Sequence, residues 1–155
     1  MHIHTMARRI YIDTSVIGGV HDVEFSHYSK RLFKEFELGL YVPVISQLTK
    51  IELQDAPKQV KEFFDEHESS FEFIETTDEA LMLSTYYMHE GKLGQKQKVD
   101  TLHIATATVN RVDVLASWNF KHIVNLNKIV LFNAVNMKNG FPTIEIRSPR
   151  ELIYE

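Results

Sequence analysis

Three carboxylates and one amide stand at positions of this chain where a ligand could bind. Asp13 ends a short β-branched and aromatic run, Glu52 lies in a short predicted helix, and Asp100 lies near the start of a longer one. Asn119 follows a later apolar run. If the four side chains converge at one edge of a sheet, they form an acidic binding site there. Each also has an ordinary structural alternative.

The run Ile10-Tyr11-Ile12 predicts a short buried strand. Both of its faces are apolar, which suits a central parallel strand covered by helices. Asp13 then lies at the carboxyl end of the strand, where open α/β sheets bind ligands. Thr14 and Ser15 are helix-capping residue types, so a helix is expected to start here and a plain cap is the alternative role for Asp13.

Glu52 belongs to a helix that Ser46 can cap and that runs to about residue 54. Leu48 lies four residues before Glu52, so the two share a helix face, and a carboxylate stands on a stripe that is otherwise apolar. The alternative is a solvated glutamate, because the nearby Lys50 and Asp55 show that this helix has a polar side.

The segment 99–109 is apolar nearly all round and predicts a buried helix. Asp100 lies in its first turn, where a negative charge is favourable, and His103 shares its face three residues on. The alternative is a capping aspartate and a core histidine that bonds to a backbone group. A strand over 113–117 follows, and Asn119 comes just after its carboxyl end. Asp113, where the chain enters this strand through a turn, is interpreted as a turn residue and is expected at the opposite edge of the sheet.

The remaining pattern alternates strands with helices, which favours an α/β fold: a three-layer α/β/α sandwich with a mainly parallel central sheet. Residues 6–155 are expected to form one domain, and Gly18-Gly19 is expected to loosen the chain after the first strand. The predicted helices cover about 26–38, 46–54, 58–67, 77–91, 99–109 and 126–137, and the further strands 41–45, 71–75, 113–117 and 144–146.

The composition is that of an ordinary globular domain. The 155 residues are 44% hydrophobic, with a formal net charge of −4, so nucleic-acid binding would need a local basic patch. There is no cysteine and no apolar run long enough to span a membrane, which fits a cytoplasmic protein without a membrane anchor. Residues 1–5 include His2 and His4 and are interpreted as a tag or a disordered start.

Four segments together resemble the PIN-domain nucleases, the family that includes VapC-type toxin ribonucleases. They run in the expected order from Tyr11 to about His122. The segments are Ile12-Asp13-Thr14-Ser15, Ser46 to Glu52, Asp100-Thr101-Leu102-His103-Ile104-Ala105-Thr106-Ala107, and Ser117-Trp118-Asn119-Phe120-Lys121-His122.

The resemblance implies a metal-dependent endoribonuclease. Residues equivalent to Asp13, Glu52 and Asp100 hold Mg²⁺ or Mn²⁺ in this family, and clustered carboxylates ionise together only with a cation between them. The catalytic set implied here is these three acids with Asn119. Thr14 or Ser15 would orient Asp13 or contact the phosphate. Exposed lysines are candidates for the RNA backbone: Lys92, Lys96, Lys98 and Lys121.

One departure from the family concerns Asn119, because the family commonly has a further aspartate in this region. An amide oxygen can bind a metal or a water but brings no charge, so the choice between one and two metals stays open. A catalytically silent PIN fold that binds RNA or a protein is therefore the alternative function. An aspartyl-phosphate phosphatase is disfavoured, because it requires a second aspartate where this chain has Ser15.

The family resemblance also implies partners. It suggests a homodimer and, for a toxin, a small antitoxin protein. Neither follows from the residues themselves, and the sequence does not identify which RNA is cleaved.

Overall fold

The computed structural model describes residues 7–154. The segment 1–5, interpreted above as a tag or a disordered start, lies outside the described residues, as do Met6 and Glu155. Among the helices between residues 7 and 154, none is long and apolar enough to cross a membrane.

Residues 7–154 contain one sheet of five strands, and every pair in it is parallel. The order across the sheet is β3-β2-β1-β4-β5, so β1 is central, as its two apolar faces predicted. The strands are β1 (Arg8–Ile12), β2 (Tyr41–Ser46), β3 (Glu72–Ile74), β4 (Val114–Ala116) and β5 (Glu145–Arg147).

Eight α-helices of residues 7–154 surround this sheet, with 3₁₀ turns at Glu68–Ser70 and Gln95–Gln97. Their bounds are α1 (Thr14–Gly19), α2 (Ser26–Glu37), α3 (Gln47–Leu53), α4 (Lys58–His67), α5 (Asp78–Glu90), α6 (Lys98–Val109), α7 (Leu126–Lys138) and α8 (Pro149–Leu152).

The two faces of β1 feed two separate hydrophobic clusters. Tyr11 packs with residues of α5, α6 and α7 on one face. Ile10 and Ile12 pack with residues of α1, α2, α3 and α4 on the other. Because successive side chains of a strand point to opposite faces, one buried strand joins both cores. The predicted three-layer α/β/α sandwich with a parallel sheet is confirmed.

The expectation for Gly18-Gly19 was wrong. Both glycines lie inside helix α1, and Gly19 is buried. A Cβ atom on Gly19 would lie 2.6 Å from Ser29 Oγ and 2.8 Å from Trp118 Nε1. Gly19 therefore allows α2 and the loop after β4 to approach α1 closely, and its role is close packing and not a loosened backbone.

Candidate functional site

The four predicted residues lie at the carboxyl edge of the sheet, and hydrogen bonds link three of them: Asp13, Asn119 and Asp100. Asp13 follows β1, and Asn119 follows β4, which pairs with β1 in parallel. Ser117 Oγ donates to Asp13 Oδ2, and the Asn119 amide donates to Asp100 Oδ2. Glu52 contacts His103, which lies one helical turn from Asp100.

Asp113 lies at the other edge, as predicted. Its Oδ2 accepts a hydrogen bond of 2.7 Å from the backbone N–H of Arg9 near the start of β1. This carboxylate is therefore separated from the acidic edge by the length of the sheet, and it makes a matched control for the acids at that edge.

Asp13 is a buried N-cap with both oxygens engaged. Its Oδ1 accepts from the backbone N–H of Ser15 at 3.1 Å and from Ser15 Oγ at 2.5 Å, and its Oδ2 accepts from Ser117 Oγ at 2.5 Å. Burial raises the pKa of Asp13; the charge of His103 and the two hydroxyls oppose this rise, and the charge of Glu52 adds to it. The side chain both caps α1 and belongs to the acidic site.

Glu52 is partly exposed, and one of its oxygens is held from two sides. Oε1 accepts from Thr14 Oγ1 at 2.7 Å and from His103 Nε2 at 2.5 Å. Burial alone would raise the pKa of Glu52, but the hydrogen bond and charge of His103 and the hydroxyl of Thr14 outweigh it and lower the pKa. The carboxylate is thus ionised near neutral pH, and both of these partners bind the same oxygen.

A series of buried side-chain hydrogen bonds continues from Glu52 through His103 into the core. His103 Nδ1 lies 2.6 Å from Tyr11 Oη, which lies 2.8 Å from Ser46 Oγ. Since an ionised carboxylate only accepts, Nε2 of His103 carries a proton. Burial raises the pKa of Tyr11, so its phenol stays protonated. The alternative in which His103 bonds to a backbone group does not hold, because both of its partners are side chains, from β1 and α3.

Asp100 and Asn119 form a weaker pair. Asn119 Nδ2 lies 3.3 Å from Asp100 Oδ2, and Asn119 Oδ1 accepts from the backbone N–H of His122 at 2.9 Å. That N–H can only donate, so the amide orientation is fixed, with its NH₂ toward Asp100. Burial and then the charge of Asp13 raise the pKa of Asp100, while His103 and His122 oppose the rise.

The capping alternative for Asp100 finds no support in the geometry of α6. The N-cap of that helix is Gln97, and no side chain of residues 7–154 caps it with a hydrogen bond. Asp100 lies in the first turn, where its charge interacts favourably with the helix dipole.

The four lysines predicted to contact RNA are all exposed. Lys96 and Lys98 flank Gln97, whose amide bonds to the ring of His122, so this segment lies against the loop that carries Lys121. Lys92 lies four residues before Lys96, in the loop after α5, and has a left-handed φ of 50°. Three of the lysines therefore come from two neighbouring segments beside Asp100.

The sheet, its helical layers and the acidic edge can now be compared with known proteins. No family model matches the sequence, and no curated protein gives a significant match. Solved structures do match over most of the chain. VapBC2 from Rickettsia felis, bound to a DNA fragment from its promoter, is 14% identical with a TM-score of 0.59, covering 90% of this chain and 98% of that one.

Two further structures agree. DNA-bound VapBC from Salmonella typhimurium is 15% identical, with a TM-score of 0.56 over 92% of this chain and 98% of the other. A toxin-antitoxin complex from Klebsiella pneumoniae is 22% identical, with a TM-score of 0.53 over 72% and 88%. VapC is a PIN domain. The chain has the PIN-domain fold.

The donor set at the acidic edge fits an open metal site. No three His, Cys, Asp or Glu side chains within 7–154 are gathered closely enough to hold a metal ion as they stand. Mg²⁺, however, is ordinarily bound by one or two carboxylates together with waters and substrate phosphates. The charge of Asp13 raises the pKa of Asp100, and the charge of Glu52 raises the pKa of both, so a cation among them would relieve this repulsion.

Several residues that shape the site were missed by sequence reasoning. Ser117 bonds to Asp13 and also accepts from the backbone N–H of Asn119 at 3.0 Å. The sequence pattern predicts only a core position for Tyr11 and no role for Gln97. A hydroxyl directly after a strand, on the side facing Asp13, was the available signal for Ser117; the sequence held no comparable signal for Tyr11 or Gln97.

Proposed function

We propose that this PIN domain is a metal-dependent endoribonuclease that hydrolyses RNA phosphodiester bonds. One observation carries the proposal: Asp13, Glu52 and Asp100, from three separate segments, lie at the carboxyl edge of the sheet within range of one another's charge. They are close enough for the charge of Asp13 to raise the pKa of Asp100.

Asp13, Glu52 and Asp100 would hold Mg²⁺ or Mn²⁺, because carboxylate oxygens are the ligands that these ions prefer. A bound ion would supply an activated water and stabilise negative charge on the phosphate. The protein's own task is to orient the oxygens that face the ion and the substrate.

The hydroxyls of this chain do that orienting. Ser15 and Ser117 hold the two oxygens of Asp13 in place. Thr14 and His103 hold Oε1 of Glu52 by hydrogen bonds. The exposed lysines beside Asp100 would bind backbone phosphates, a contact that positions RNA without reading its sequence.

The test is cleavage of a mixed RNA pool in Mg²⁺ or Mn²⁺, compared with EDTA. We expect cleavage that requires the metal and is abolished by Asp13→Asn, which keeps a capping oxygen but loses the charge. Asp113→Asn, at the opposite edge, is the matched control and should cleave like the wild type. Cleavage that survives EDTA or Asp13→Asn would overturn the proposal.

The toxin of a toxin-antitoxin pair is the biological role we propose for this nuclease. The structural neighbours include VapBC proteins and a toxin-antitoxin complex. An antitoxin partner, a homodimer and a cytoplasmic location belong to the same proposal. Growth arrest on expression in a bacterial host, relieved by Asp13→Asn, would support it; unimpaired growth with abundant folded protein would contradict it.

A catalytically silent module that binds RNA or a protein is the second candidate. The observation in its favour is the orientation of the Asn119 amide. Its NH₂ group donates to Asp100, and its oxygen accepts from the backbone N–H of His122. Asn119 thereby contributes neither charge nor a free oxygen to the edge. RNA binding without cleavage, with cleavage appearing in Asn119→Asp, would decide for this candidate.

A further inference from the structure

Gln97 has an amide whose orientation is fixed by its neighbours. Its Oε1 accepts a hydrogen bond of 3.0 Å from the backbone N–H of Gly94. Its Nε2 lies 2.8 Å from Nδ1 of His122. A backbone N–H only donates, so Oε1 must face Gly94, and the NH₂ group must face the histidine.

This orientation sets the tautomer of His122. An amide NH₂ only donates, so Nδ1 of His122 accepts and carries no proton. The neutral ring must then carry its proton on Nε2. A proton on Nδ1 would place two donors against each other, so Gln97 holds the ring with Nδ1 as the acceptor and Nε2–H as the donor.

The donor lies beside the acidic edge and is not used within the protein. The backbone N–H of His122 bonds to Asn119, whose amide bonds to Asp100. The His122 side chain is half-buried, and no group between residues 7 and 154 accepts a hydrogen bond from its Nε2. Exposed Lys121 adjoins it, and Lys96 and Lys98 flank Gln97.

We propose that His122 is a phosphate-binding residue, donating its Nε2–H to a non-bridging phosphate oxygen of RNA bound at the acidic edge. The proposal rests on the proposed function for its ligand, a single-stranded RNA. Gln97 is a positioning residue that acts through His122.

Binding of a fluorescent single-stranded RNA of about ten nucleotides, in Mg²⁺ and at fixed salt, tests the proposal. All proteins carry Asp13→Asn so that the RNA stays intact. We expect His122→Ala to weaken binding about tenfold, the usual effect of losing one hydrogen bond to a charged group. His122→Gln, which keeps an NH₂ near the position of Nε2, should retain most of the affinity. His27→Ala, an exposed histidine of α2, is the matched control.

A second readout does not depend on affinity. Imidazole ¹⁵N NMR of the free protein should show His122 with its proton on Nε2, and the Nε2 resonance should shift when RNA binds. Gln97→Ala should allow both tautomers and weaken binding less than His122→Ala. A His122 proton on Nδ1 in the free protein, or an Nε2 resonance that RNA leaves unmoved, would overturn the assignment.

The outcome is separable from that of the proposed function. If the wild type binds RNA through His122 but cleaves nothing, the nuclease proposal fails and the phosphate contact stands. If the wild type cleaves RNA and His122→Ala binds it as tightly as the His27→Ala control, the contact is wrong and the nuclease stands. RNA that does not bind at all counts against both.

Discussion

The acidic edge has two halves of different build. One half, Asp13 with Glu52, is held by short hydrogen bonds from Ser15, Ser117, Thr14 and His103. The other half is Asp100, whose side-chain oxygens accept, within residues 7–154, from one neutral amide at 3.3 Å, that of Asn119. The same kind of side chain is thus tightly oriented on one side and loosely held on the other.

The pKa shifts follow this difference. The pKa of Glu52 is lowered because His103 and Thr14 overcome the effect of its burial. The pKa of Asp100 is raised by burial and by the charge of Asp13, without a donor strong enough to compensate. The Glu52 side is therefore preorganised by the fold, whereas the Asp100 side lacks positive charge that a bound cation would supply.

The largest expected effect comes from removing the support of Glu52. His103→Ala leaves a cavity in the core and removes one of the two hydrogen-bond partners of the buried Tyr11 hydroxyl, so we expect the free energy of unfolding to fall by about 3 kcal/mol. Urea denaturation in EDTA measures this. Asp100→Ala, which removes a loosely held side chain on the other half, should cost less than about 1 kcal/mol.

His103→Gln refines the same comparison. Glutamine places an amide donor near Nε2 and fills part of the cavity, so it should recover about half of the lost stability. If His103→Ala and Asp100→Ala destabilised the protein equally, the two halves would not differ in the way that their hydrogen bonds indicate.

Asn119→Asp is expected to have the next largest effect, with a sign that depends on metal. Without metal, the new carboxylate repels Asp100 and replaces a donor, so unfolding free energy should fall by about 1–2 kcal/mol. In millimolar Mg²⁺ or Mn²⁺ the loss should shrink or reverse, because a cation then bridges the two acids. Urea denaturation with EDTA and with each metal measures both terms; an equal loss in EDTA and in metal would contradict the prediction.

The sequence was sufficient for the parts of the fold that depend on pattern. The β-branched run before Asp13, the apolar helix around His103 and the alternation of elements predicted the parallel sheet and its layers. The polar residues of the predicted site were singled out in the same way: Asp13, Asp100 and Asn119 follow a strand or lie near a helix start, and Glu52 stands on an otherwise apolar helix stripe. In each case the information is local, within a few residues of the position itself.

Contacts between distant segments could not be predicted in this way. The chain from Ser46 through Tyr11 to His103 joins β2, β1 and α6, and the Gln97–His122 bond joins two loops. Gly19 was misread because the glycine pair suggested a flexible turn, whereas the packing of Ser29 and Trp118 against it requires the absence of a side chain. Such effects depend on tertiary geometry, which composition and spacing do not contain.

The smallest expected effect is a change in pH dependence on the Asp100 side. A carboxyl group whose pKa is raised by folding keeps its proton in the folded state after the unfolded chain has lost it. Stability therefore falls as pH rises from the ordinary aspartate pKa, near 4, to the raised pKa of folded Asp100.

Asp100→Asn removes this group, so its stability should fall less than that of the wild type across the same pH window in EDTA. Below the window the two proteins should differ least, and above it the variant should gain by less than about 1 kcal/mol relative to the wild type. Glu52→Gln should behave in the opposite way, because the pKa of Glu52 is lowered and its ionised form stabilises the fold as pH rises through that pKa. Urea denaturation of each protein between about pH 3 and pH 8 gives the stability of each variant relative to the wild type as a function of pH. If this difference changed with pH in the same direction for both variants, the two halves would be electrostatically alike.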